Sequence, residues 1–146
     1  MTRNIFRILL AIAALSLTVA AQAQVTVTKK GKAKSAITLA DDPQNTLKAA
    51  ELLQDFVKRI SGAELPITEK GNIVIGGKAS DDVGEDGFSI DSENGHLTIR
   101  TGGDKGAIYG VVTLLEKYMG ISYWAYETYD LSETPDIVLP EIHIKE

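Results

Sequence analysis

The sequence contains no cysteine among its 146 residues. This absence excludes disulfide bonds, thiolate zinc sites, iron–sulfur clusters, cysteine nucleophiles and a lipid-modified cysteine anchor. Basic residues are outnumbered by acidic ones, 15 to 20, and no stretch carries five like charges in a row. Because nucleic acids are bound through concentrated basic surfaces, the charge pattern argues against a nucleic-acid partner.

The N-terminus has the three parts of a secretory signal peptide. Arg3 and Arg7 supply positive charge, residues 8–19 form a nearly unbroken apolar run, and Ala23 completes a small-x-small cleavage motif. The apolar run is shorter than the roughly 20 residues that span a bilayer. We therefore predict a signal peptide at residues 1–23, export to the periplasm or medium, and no stable membrane anchor after cleavage.

The rest of the chain is predicted to hold one domain. A flexible segment or edge strand is expected at residues 24–35, followed by an α/β domain at residues 36–146. Helices are predicted at about 45–61 and 104–119, because apolar residues recur there at intervals of three and four. The expected core positions are Leu47, Ala50, Leu53, Val57 and Ile60 in the first helix, and Ile108, Val111, Val112, Leu115 and Met119 in the second.

Short strands are predicted between and after the helices. Residues 72–76 form a continuous apolar run typical of a central strand. Asn94-Gly95 indicates a hairpin in which Ile90 faces Ile99, with the polar residues on the other face. Three further strands are expected at 121–126, 127–131 and 136–144. Together these elements predict a two-layer sandwich of mixed β-sheet with two main helices packed on it.

No motif for catalysis or cofactor binding emerges from the residues. The segment 101–110 is a strand, glycine loop and helix, but it lacks the glycine and lysine spacing of nucleotide-binding loops. Gly106 and Gly110 are instead interpreted as allowing the second helix to approach the sheet closely. His96 and His143 fall on the outward sides of their strands. The sequence therefore predicts no catalytic residue, no cofactor and no metal site.

Aromatic residues concentrate in one segment near the C-terminus. Four of the five tyrosines and the single tryptophan lie within residues 118–129. Such side chains have a flat apolar face and a polar tip, which suits a core, a protein interface or stacking on a sugar ring. The candidate docking or glycan-contact residues are Tyr123, Trp124, Tyr126 and Tyr129.

The order of several motifs resembles a known accessory domain. Residues 103–124 resemble its signature G-x-x-G-x-x-Y-G, L-L-E and G-x-x-W, and the upstream segments 49–62, 65–67 and 73–90 follow in the same order. That domain precedes the catalytic barrel in α-glucuronidases, β-N-acetylhexosaminidases and related bacterial glycoside hydrolases. One position departs from the pattern: the family often has arginine where this chain has Lys105, and lysine lacks the planar guanidinium fork.

The resemblance implies a hexosaminidase-domain-2-like fold and a non-catalytic role. In the family the reacting groups lie on the (β/α)₈ barrel, so no catalytic residue carries over to this sequence. We expect a docking or support module for a barrel-type glycoside hydrolase in glycan degradation, or a module that self-associates. The alternatives are a stand-alone glycan-binding module and a small carboxylate-dependent glycosidase.

Overall fold

The computed structural model describes residues 24–40, 44–125 and 128–146. The predicted signal peptide, residues 1–23, lies outside the described residues. The described part folds into strands and two helices in the following order: β1 Val25–Lys29, β2 Lys32–Ala33, β3 Ile37–Leu39, α1 Gln44–Ser61, β4 Ile73–Lys78, β5 Phe88–Glu93, β6 His96–Thr101, α2 Gly106–Tyr118, β7 Ile121–Ala125, β8 Thr128–Leu131, β9 Ile137–Leu139 and β10 His143–Lys145.

A mixed five-stranded sheet forms the centre of the fold. Its strand order is β10-β5-β6-β4-β3, in which β3, β4 and β6 run parallel while β5 and β10 are antiparallel to their neighbours. Both helices contact this sheet and each other. The predicted α/β fold, a mixed sheet covered by two helices, is confirmed.

The hairpin between β5 and β6 has the predicted register. Ile90 pairs with Ile99 and Asp91 with Thr98. Asn94 and Gly95 have φ angles of 52° and 78°, the left-handed conformation that a tight two-residue hairpin turn requires. Both isoleucines are fully buried, so one face of the hairpin joins the core.

Both predicted helices form, but the residues that they bury differ in part from the expected core positions. Leu47, an expected core residue, is 43% exposed, whereas Phe56, which was not among the expected core residues, is buried. In α2, Leu114 is fully buried while Ile108 and Val112 are only half-buried. The physical reason is that the small residues Gly106, Ala107 and Gly110 are also buried, so the helix turns this smaller side toward the sheet.

Residues 24–35, which were expected to be a flexible segment or an edge strand, contain the strands β1 and β2. β1 is the inner strand of a three-stranded antiparallel sheet with the order β2-β1-β9. Val25 and Val27 are fully buried in the same core as the helices. The pairing partner, β9, lies more than 100 residues away in the sequence, so no local pattern could indicate it.

The predicted strand at 136–144 is also corrected, because it is two strands in different sheets. β9 pairs with β1, whereas β10 pairs with β5 at the edge of the central sheet. Pro140, which cannot donate a ladder hydrogen bond, lies between them. Neither helix in the described part of the chain is long and apolar enough to cross a membrane.

Candidate functional site

Three aromatic rings and one arginine meet where α1 lies beside the β7–β8 hairpin. We call Phe56, Arg59, Tyr123 and Tyr129 the aromatic cluster. Tyr123 and Tyr129 are directly opposed across the two strands, which places their side chains on the same face. The Phe56 ring lies 5.1 Å from Tyr129 and 5.9 Å from Tyr123, in both cases edge to face at 71°. These contacts hold both phenol rings in a defined orientation.

Arg59 completes the cluster one helical turn after Phe56. Its guanidinium carbon lies 5.5 Å from the Phe56 ring centre and 5.7 Å from that of Tyr129, within cation–π range. Arg59 donates hydrogen bonds to the Tyr129 hydroxyl and, through Nε at 2.8 Å, to the Asp55 carboxylate. The hydrogen bond with Asp55 is the main cause that raises the pKa of Arg59, so the arginine stays cationic.

The tyrosines of the cluster are half-buried and pack against the hydrophobic core. Burial raises the pKa of Tyr123, and the nearby Glu116 carboxylate raises it further. The phenol therefore remains neutral at physiological pH. Tyrosines beside an arginine combine apolar area with hydrogen-bonding tips, the composition enriched at protein interfaces.

The structure brings together two of the four predicted site residues. Tyr123 and Tyr129 belong to the aromatic cluster, Trp124 lies next to Tyr123 in β7, and Tyr126 falls outside the described residues. Sequence reasoning missed Phe56 and Arg59, since they lie about 70 positions upstream on a different element. Their only sequence signal is the helical spacing of three. The docking or glycan role of these residues stays a prediction.

The glycine-rich motif has a structural explanation. A β-carbon at Gly102 would lie 1.9 Å from the Gly84 carbonyl oxygen, and one at Gly106 would lie 2.0 Å from that of Gly87. The loop after β4 therefore packs directly on the backbone that leads into α2. At Gly110 a β-carbon would lie 2.6 Å from the Ile99 side chain, which confirms that this glycine permits close helix–sheet packing.

The face of the central sheet opposite the helices is polar. We call Ser89, Asp91, Arg100, His143 and Lys145 the polar sheet face. Asp91 lies 3.2 Å from His143 Nδ1 and 3.6 Å from the Arg100 guanidinium. His143 and the histidine at position 96 are exposed, as predicted.

Ion pairs next to the polar sheet face shift the pKa values of two side chains, His143 and Asp82. Glu141 accepts at 3.0 Å from His143 Nε2 and, together with Asp91, raises the pKa of the imidazole. Lys145 and, second, Ser80 hold the pKa of Asp82 down to about 2. Glu141 and Asp82 therefore each have a basic or hydrogen-bonding partner.

Residues 14–119 match the sequence model of the family described as Glycosyl hydrolase family 20, domain 2. The chain belongs to this domain family. The predicted resemblance to a glycoside-hydrolase accessory domain is thereby confirmed. No curated protein matches the chain.

Solved structures of glycoside hydrolases contain the same fold. The Streptomyces plicatus N-acetyl-β-hexosaminidase is 21% identical with a TM-score of 0.61, over 85% of this chain and 23% of the enzyme. A Vibrio harveyi exo-β-N-acetylglucosaminidase is 14% identical with a TM-score of 0.58, over 84% of this chain and 16% of the enzyme. A family GH115 4-O-methyl-α-glucuronidase is 17% identical with a TM-score of 0.57, over 84% of this chain and 18% of the enzyme. The chain thus spans less than a quarter of these enzymes.

Proposed function

We propose that this GH20 domain-2 chain is an exported, non-catalytic module that docks on or supports a barrel-type glycoside hydrolase. Family membership supports the association with glycan degradation, because the matched structures belong to glycan-cleaving enzymes. The aromatic cluster is the observation that supports docking. It places two partly exposed tyrosines and a partly exposed arginine side by side at the surface.

A protein surface fits the aromatic cluster better than a sugar ring does. Tyr123 and Tyr129 contact each other and Phe56 at ring-centre distances of 5.1–6.2 Å, and the Arg59 guanidinium lies over the Tyr129 ring. Sugar stacking needs an open ring face, whereas a protein partner can use ring edges, phenol hydroxyls and the guanidinium. Because the rings are already ordered, docking costs little side-chain entropy.

The test of docking measures binding to the barrel-type glycoside hydrolase encoded nearest to this gene, by interferometry with the purified proteins. We expect specific binding that Tyr129→Ser weakens at least about tenfold, since loss of an interface anchor costs more than 1 kcal/mol. Leu47→Ser is the matched control, because Leu47 is an exposed apolar residue outside the cluster. Equal weakening by both variants, or no binding, would contradict docking through the cluster.

Trp124 gives the alternative of glycan binding its own test. Calorimetric titration with chito- and xylo-oligosaccharides should show no saturable heat if the chain is a docking module. Saturable binding that Trp124→Ala abolishes would replace docking with glycan recognition. Turnover of aryl glucuronides or N-acetylhexosaminides by the purified chain would instead establish a small hydrolase.

Export is tested separately on the N-terminus. The charged start, the short apolar run and the cleavage motif support removal of residues 1–23. The intact mass of protein recovered from the periplasm or medium should correspond to a chain beginning at Gln24. A mass that retains Met1 would contradict cleavage.

A further inference from the structure

A mostly buried serine on the polar sheet face has a hydroxyl that no described residue hydrogen-bonds. Ser89 lies in β5 between the core residues Phe88 and Ile90, so its side chain points to the face opposite the helices. The residue is only 9% exposed. Among the residues that the structure describes, none forms a hydrogen bond with the Ser89 hydroxyl, which lines a shallow depression. No fully buried side-chain oxygen among the described residues lacks a hydrogen-bond partner, so the Ser89 hydroxyl keeps some contact with solvent and is accessible to a ligand.

Two cationic side chains flank Ser89 on the neighbouring strands. Arg100 of β6 and Lys145 of β10 are each directly opposite Ser89 in the sheet register. Directly opposed residues have β-carbons about 4.5–5.5 Å apart, so the three side chains form one row across three strands. All three line the same depression.

The cationic side chains of this row have hydrogen-bond donors that no described residue accepts from. Arg100 is 45% exposed in its side chain, and its ion pair with Asp91, at 3.6 Å, is too long for a hydrogen bond. Within the described ranges the Arg100 guanidinium makes no other ion pair or hydrogen bond. Lys145 donates to Asp82, which leaves two of its three ammonium hydrogens. A serine, an arginine and a lysine with unused hydrogen-bond donors therefore line one depression.

The surrounding charges favour a singly charged ligand group. Asp91 lies near Arg100 and His143, and Asp82 pairs with Lys145, so neither carboxylate is without a basic neighbour. Their presence nevertheless penalises a phosphate dianion more than a carboxylate monoanion. Asp91 and Ser80 also line the depression and supply acceptors for neighbouring hydroxyl groups.

We propose that Ser89, Arg100 and Lys145 bind the carboxylate of an acidic sugar, a uronate residue of a glycan. The guanidinium pairs with the carboxylate, Ser89 donates its hydroxyl hydrogen to one carboxylate oxygen, and Lys145 adds a third donor. The ring hydroxyls of the sugar donate to Asp91 and Ser80. This site lies on the opposite face of the sheet from the helices and is independent of docking through the aromatic cluster.

The test is a titration of the purified chain followed by ¹H–¹⁵N spectra, with glucuronate, glucose and acetate as probes. Glucose has the same ring without the carboxylate, and acetate has the carboxylate without the ring. We expect saturable shifts at the amides of Ser89, Arg100 and Lys145, with glucuronate bound at least about tenfold more tightly than either control probe. No saturation, or equal affinity for acetate or glucose, would overturn the proposal.

Charge-matched variants separate this site from general electrostatic attraction. Arg100→Gln should weaken glucuronate binding at least about tenfold, and Ser89→Ala by about three- to tenfold, since a hydrogen bond to a charged group is lost in each case. Lys48→Gln removes the same charge from an exposed position on α1 and should leave binding unchanged. The spectra of the free variants report whether the fold is intact. Equal weakening by Lys48→Gln would also overturn the proposal.

Discussion

The glycines at the start of α2 should be far more sensitive to alanine substitution than a glycine in the adjoining loop. At Gly106 a new β-carbon would lie 2.0 Å from the Gly87 carbonyl oxygen and 2.5 Å from the Thr101 hydroxyl. One of these atoms belongs to the backbone, so the loop itself would have to move. At Gly110 the nearest atom, at 2.6 Å, belongs to the Ile99 side chain, which can adjust more easily.

The expected magnitudes follow from two opposing effects. Overpacking costs about 1–3 kcal/mol or more, whereas alanine gains up to about 1 kcal/mol over glycine within a helix. We expect Gly106→Ala to lower the free energy of unfolding by about 2 kcal/mol or more, and Gly110→Ala by about 1 kcal/mol. Gly84→Ala is the control, because a β-carbon there meets nothing within 4 Å and the backbone φ is not positive. It should be neutral or slightly stabilising.

Urea unfolding followed by far-UV circular dichroism measures all three variants on the same scale. The reasoning fails if the Gly106→Ala midpoint equals or exceeds that of Gly84→Ala. That result would mean that the loop yields freely, and that the glycine motif does not serve close backbone packing.

Two further predictions concern the core and the polar sheet face. Leu115→Ala should destabilise the fold by about 2–5 kcal/mol because the side chain is fully buried, whereas the exposed Leu47→Ala should change stability by less than about 0.5 kcal/mol; comparable urea midpoints for the two variants would contradict the helix orientation. The raised pKa of His143, caused by Glu141 and then Asp91, means that its stabilisation is fully present below about pH 6.5 and is lost as the pH rises through the raised value. The stability difference between the native chain and His143→Gln should therefore be larger at pH 5 than at pH 8, and a difference that grows with pH would refute this assignment.

Local sequence patterns were sufficient to predict the elements that are stabilised by contacts between residues close together in the sequence. The register of the β5–β6 hairpin follows from a two-residue turn, because Asn94 and Gly95 adopt the left-handed conformation easily. Both helices follow from apolar periodicity. The rotation of α2 does not, because the close approach at Gly110 outweighs the larger apolar residues at 108 and 112.

Only the tertiary structure decided which distant segments pair. β1 becomes an inner strand because β9 supplies its partner from the other end of the chain, and burial of Val25 and Val27 depends on that pairing. The aromatic cluster likewise joins α1 to the β7–β8 hairpin. Sequence composition indicated the tyrosines, but it could not indicate the helix that orders them.

The polar sheet face shows most clearly which features local sequence predicts and which depend on strand pairing. Alternation along β5 and β6 predicts that Asp91 and Thr98 lie away from the core, a conclusion available from the sequence. The row of Ser89, Arg100 and Lys145 also needs β10 beside β5, and that pairing joins residues more than 50 positions apart. Side-chain period is a local property of an extended backbone, whereas strand neighbours are chosen by the burial that the whole chain achieves. The sequence therefore determined the faces of the strands, and the fold decided which charges meet on them.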